Sequence, residues 1–121
     1  MKKIHYNKLI RDKIPEKITK SGGEYEIKKL DKTEYGTELL KKAGEEAIEL
    51  FNAKSKQEII SELGDVLDVL DEIKRNFKIK ESDIKKSRQA EMKSKGGFKK
   101  RLFLFWTSST GYKKDKTKNK E

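Results

Sequence analysis

The sequence predicts an all-α protein, an antiparallel helical bundle with only minor short extended segments. Asp31 with Glu34, and Ser55 with Glu58, have capping-box spacing ahead of long runs. Apolar residues in those runs recur at helical rather than alternating intervals. Composition agrees: charged residues make up 43% of the chain and apolar ones 32%, which suits a lean helical core better than a sandwich or barrel.

Met1 to Leu9 has little periodicity. Arg11-Asp12-Lys13-Ile14-Pro15 reads as a helix start, with Asp12 as cap and Pro15 in the first turn, where its missing N–H costs least. Ile14 and Ile18 share the inward face, and Ser21-Gly22-Gly23 supplies the stop. Tyr25 and Ile27 alternate with charged residues, the pattern of a short extended segment or a plain loop. A second helix is predicted from Lys32 to about Asn52, with Leu39, Leu40, Ala43, Ala47, Ile48, Leu50 and Phe51 as its apolar surface. Gly36 and Gly44 each weaken it by about 1 kcal/mol relative to alanine, so packing has to hold it. A third helix from Lys56 to about Asn76 carries a stripe expected to be buried: Ile59, Leu63, Val66, Leu67, Leu70 and Ile73. The short connection makes these two helices antiparallel neighbours. Ser82 is the expected cap of a fourth helix, Asp83 to about Lys95, ended by Gly96-Gly97. The first and fourth helices are expected to pack around the central pair. Leu102 to Trp106 is an aromatic segment, either a strand or a packing arm.

At 121 residues the chain has room for one ordinary domain, expected over residues 1–106, followed by a disordered lysine-rich tail at 107–121. No cysteine is present and His5 is the single histidine, which excludes disulfides, thiolate metal sites and multi-histidine zinc sites. Any metal is held by oxygen. No run approaches the ~18 apolar residues of a membrane span and no signal core follows the basic N-terminus, so a soluble, cytoplasmic protein is expected. A net charge of +10 favours anionic partners in general.

The chemistry is concentrated between Glu45 and Asp65. Glu45, Glu46 and Glu49 form E-E-x-x-E, and after twelve intervening residues Glu62 and Asp65 form E-x-x-D. Residues three or four apart share a helix face, so each cluster projects together and the antiparallel pairing brings the two face to face. Carboxylates on otherwise apolar helices lose hydration and repel one another unless a cation compensates. Oxygen donors without soft ligands suit Mg2+, with Mn2+ as a substitute. A lone acidic string on a lysine-rich helix is usually a solvated face; the second, phased cluster is what raises this one above it. Gly44 is expected to loosen the second helix beside its motif, and Gly64 to permit close helix approach.

E-E-x-x-E, a spacer and E-x-x-D resemble the signature of the all-α nucleoside triphosphate pyrophosphohydrolases of the MazG-like and phosphoribosyl-ATP pyrophosphohydrolase superfamily. Tyr6-Asn7-Lys8-Leu9-Ile10-Arg11-Asp12-Lys13-Ile14-Pro15 resembles the opening of one MazG-like branch, and Gly96-Gly97-Phe98 with Lys100-Arg101 its closing segment. The resemblance implies Mg2+-dependent cleavage between the α and β phosphates of a nucleoside triphosphate, giving a monophosphate and pyrophosphate, with nucleotide-pool house-cleaning as a role. It implies Glu46, Glu49, Glu62 and Asp65 as metal ligands, and Glu45 and Glu49 as the catalytic carboxylates, Glu45 helping to orient water.

Lys8, Arg11 and Lys13 from the N-terminal segment, and Lys93, Lys99 and Arg101 from the C-terminal one, are the candidate phosphate contacts; each is otherwise an ordinary surface cation. Arg11-Asp12 reads equally as a local ion pair anchoring the first helix. Phe103, Phe105 and Trp106 suit core or subunit packing better than stacking on a base. His5 is expected to be structural or exposed. A homodimer or homotetramer is expected, because so short a chain does not complete a four-helix core alone. Two readings compete with the enzyme: a non-catalytic basic nucleic-acid-binding or accessory protein, contacting nucleic acid through the tail, and a nucleotide-binding relative with little hydrolysis.

Overall fold

The computed structural model describes residues 2–109. Four helices form, α1 (Ile14–Lys20), α2 (Lys32–Phe51), α3 (Lys56–Asn76) and α4 (Glu81–Lys95), and there is no strand among the described residues. The protein is all-α. The chain divides into two compact units, residues 1–83 and 84–121.

The first unit is built on the α2/α3 hairpin. Asp31 caps α2 with a reciprocal box: its carboxylate accepts from the Glu34 N–H at 2.8 Å and the Glu34 carboxylate accepts from the Asp31 N–H at 3.2 Å. Ser55 caps α3 by accepting from the Glu58 N–H at 3.1 Å. The expected second box closes one residue early, because the Glu58 carboxylate accepts from the Lys54 N–H at 2.8 Å. With the turn confined to residues 52–55, the helices run antiparallel and pack on one another. α3 ends in a Schellman motif: the Ile79 N–H reaches the Lys74 carbonyl, the Lys78 N–H reaches the Arg75 carbonyl, and Lys78 adopts φ 55°.

The end of the hairpin remote from the turn is tightly joined. The Tyr35 hydroxyl donates to Glu72, whose carboxylate also accepts both Nε and Nη2 of Arg75. Beside it Gly36 is buried, and a Cβ there would stand 3.0 Å from Phe77 Cζ and 3.1 Å from Asn76 Nδ2. This glycine is needed for close approach. Gly64, expected in that role, faces open space, as does Gly44.

α1 begins later than expected. Lys13 occupies the cap position without a side-chain bond, and Asp12 lies too early to cap; the helix starts instead with Pro15 among its first residues, where no N–H needs a partner. Its end is as expected, with Gly22 at φ 81° and the Gly23 N–H on the Ile18 carbonyl. α1 does not pack on α2 or α3. The preceding segment makes that connection instead, through the Arg11 side chain on α3 and through the Leu9 carbonyl, which accepts from Lys42 of α2. Tyr25 and Ile27 are exposed in irregular chain, since an isolated extended segment has no strand to pair with.

α4 starts at Glu81, so Ser82 lies inside its first turn and does not cap; the turn is entered through the Asp83 N–H on the Lys80 carbonyl. It stops before Gly96, at φ 79°. Leu102 to Trp106 is neither a strand nor packed: the segment is exposed, with Phe103 and Phe105 edge to face at 5.2 Å. Beyond Ser109 the lysine-rich tail lies outside the described residues.

The apolar stripes are less buried than periodicity implies. Leu39, 3% exposed, is the only buried hydrophobic side chain among the described residues. Ala43 and Leu50 on α2, and Val66 and Ile73 on α3, are half-buried. Leu40, Ala47, Ile48 and Phe51, with Ile59, Leu63, Leu67 and Leu70, are exposed. Two helices in contact cover only one flank of each other, and stripes this wide need more neighbours.

Candidate metal centre

Register sets the site. Glu46 on α2 meets Glu62 and Asp65 on α3, and each of the three half-buried carboxylates offers an oxygen within 4.8 Å of the others. Oxygens gathered this closely could share one small cation. The donors are hard oxygens from two helices, which fits Mg2+ or Mn2+. Glu49 is exposed and stands outside this group, yet close enough to act on Glu62 electrostatically. Partial desolvation, then repulsion from Asp65, Glu49 and Glu46, raises the Glu62 carboxyl above its ordinary value.

Two side chains of opposite sign flank the group. Lys42, 18% exposed, places Nζ 3.4 Å from Glu45 and 3.7 Å from Glu46, and donates to the Leu9 carbonyl at 3.2 Å. Arg11 places Nη2 2.9 Å from both Asp65 and Asp68. Its guanidinium proton is held more tightly than usual, above all by Asp68. The expected local pair with Asp12 is therefore not how Arg11 is used: the aspartates on α3 are three residues apart and together offer a fork that one neighbour cannot.

Lys42 and Asp68 were not singled out by the motifs. Both were within reach of a spacing argument: Lys42 precedes Glu45 and Glu46 by three and four residues, and Asp68 follows Asp65 by three. Of the remaining candidate cations, Lys8 lies over the Tyr6 ring at 5.7 Å and Lys13 is exposed. Lys93 sits in the last turn of α4, and Lys99 and Arg101 follow it in the second unit, all exposed. His5 is exposed. No described helix is long and apolar enough to cross a membrane.

Compared with family models, curated proteins and solved structures, the chain matches none of them.

Proposed function

We propose that this protein is a cytoplasmic, divalent-cation-dependent nucleoside triphosphate pyrophosphohydrolase, releasing pyrophosphate and a nucleoside monophosphate. The observation that carries the reading is the convergence of Glu46, Glu62 and Asp65 from two helices to within 4.8 Å. The resemblance of the acidic motif and of both flanking segments to MazG-like enzymes supports it. Glu46, Glu62 and Asp65 would hold the cation, with Glu49 at the exposed edge. When bound, Mg2+ supplies positive charge to the phosphates and makes water more acidic.

The chain's own residues account for the rest. Lys42 fixes the direction of Glu45, so that this carboxylate can accept a hydrogen bond from the attacking water. Glu49 is free to take the water's proton as the new bond to the α phosphorus forms and the bond to the bridging oxygen breaks. Pyrophosphate leaves with that oxygen. Arg11, beside Asp65 and Asp68, is a source of charge for the departing group, with Lys8 and Lys13 of the same segment as further candidates. A homodimer or homotetramer would cover the exposed faces of α2 and α3.

The test is turnover of a panel of nucleoside triphosphates with Mg2+, resolving pyrophosphate from orthophosphate. Asp65→Asn and Glu62→Gln should each reduce pyrophosphate release by about 100-fold or more while the protein stays folded. Orthophosphate as first product, or undiminished turnover in chelator, would overturn the proposal. Salt-sensitive nucleic-acid binding that persists in chelator, without hydrolysis, would replace it.

A further inference from the structure

We infer that Arg11 is a resident counter-cation of the acidic cluster, which holds Asp65 while no divalent ion is bound and yields that contact when one binds. The inference rests on the metal reading of Glu46, Glu62 and Asp65. It concerns how loading that site acts on the N-terminal segment.

Asp65 has two partners competing for its charge. It belongs to the three-carboxylate group, and its Oδ1 accepts from Arg11 Nη2 at 2.9 Å. Arg11 cannot make room by losing a proton, because a guanidinium stays charged. Moving is the available response, and little opposes it. The Arg11 side chain is 60% exposed, it belongs to irregular chain ahead of α1, and Asp68 at 2.9 Å offers a second anchor to fall back on. Lys42 is placed differently. At 18% exposed and tied to Glu45, Glu46 and the Leu9 carbonyl, it is the fixed cation of the cluster, whereas Arg11 is the movable one.

The segment is thus pinned twice, by Lys42 on the Leu9 carbonyl and by Arg11 on α3. A dication sharing Asp65 with the guanidinium would repel it; at a separation of several ångströms, even at the dielectric of water, that repulsion changes binding on the order of tenfold. Linkage makes the effect reciprocal: whatever factor the Arg11 contact takes from metal affinity, bound metal takes from the Arg11 contact. Released from Asp65 but kept on Asp68, the guanidinium has N–H donors free for the oxygens of an anionic ligand that accompanies the metal.

The experiment titrates Mg2+ alone, by calorimetry, into the full chain and its Arg11→Gln, Arg11→Lys and Asp65→Asn variants. Circular dichroism checks the fold, and NMR order parameters are recorded for residues 8–13. Arg11→Gln should bind Mg2+ about tenfold more tightly, and Arg11→Lys should stay close to the parent. Mg2+ should lower the order parameters of the segment part of the way in the parent protein, where Asp68 still holds the guanidinium; in Arg11→Gln they should be lower still, with or without Mg2+. Equal or weaker Mg2+ binding by folded Arg11→Gln, with binding abolished in Asp65→Asn, would overturn the inference and make Arg11 an orienting partner of Asp65. Absence of Mg2+ binding in every folded form would overturn the metal reading, and this inference with it.

Discussion

The two ends of the α2/α3 hairpin solve opposite problems. Away from the turn, Glu72 is surrounded by donors: Arg75 above all, then Tyr35, hold its carboxyl down at about 2. Burial, followed by the Glu72 carboxylate, pushes the Tyr35 hydroxyl up to about 12. Nearer the turn, Glu62 has carboxylates for neighbours, and its carboxyl is raised. One end is matched and binds the helices together. The other gathers carboxylates from both helices and carries an excess of negative charge. On one pair of helices, carboxyl groups thus shift in opposite directions according to whether donors or other carboxylates surround them.

The sharpest way to break this comparison is to remove the matched acid. Glu72→Ala leaves the Tyr35 hydroxyl and Arg75 without their shared acceptor and should cost about 1–2 kcal/mol in denaturant unfolding, with Mg2+ affinity unchanged. A stability loss no larger than at an ordinary surface glutamate would show that the clamp does not hold the hairpin.

A contrast between glycines is of comparable size. Gly44→Ala, with open space around its new methyl, should stabilise the protein by about 1 kcal/mol. Gly36→Val drives branched carbon into Phe77 and Asn76 and should destabilise it by about 1–3 kcal/mol. If Gly44→Ala instead weakened assembly in sedimentation, that glycine would lie at a contact between copies.

The pH profile is the smallest effect and the most diagnostic. Glu72 titrates lower in the folded state than its ordinary 4.5, so its contribution is present above that value and is lost as pH falls from about 4.5 to about 2. Glu62 titrates higher when folded, so protonating it favours the fold, and its contribution disappears as pH rises through its raised range. Thermal melts against pH should therefore lose the acid-side decline in Glu72→Gln, and lose the opposing gain in Glu62→Gln. Two variants with the same profile would mean that the ends are not distinguished by their electrostatics.

Much of this was legible along the chain because it is local. The capping residues Asp31 and Ser55 set the starts of α2 and α3 through bonds to backbone three residues on, and Gly22 and Gly96 mark stops that need positive φ. Asp12 and Ser82 are good capping residues that do not cap, because α1 begins at Ile14 after Lys13 and α4 begins already at Glu81. The burial of the stripes was overread at Leu63 and Leu67, because periodicity says which residues share a face but not whether anything covers it.

By itself, then, the sequence determined four helices, the antiparallel central pair, an oxygen-only donor set and the faces on which the acids stand. The tertiary structure decided which of those acids meet. Glu46 joins Glu62 and Asp65 while Glu49 stays at the edge, and Arg11 reaches across 54 positions to α3 rather than to its neighbour Asp12. Such pairings depend on the rotation and axial register of one helix against another. A difference of one residue in register turns a side chain by about 100° around the helix axis, and no pattern within either helix fixes it.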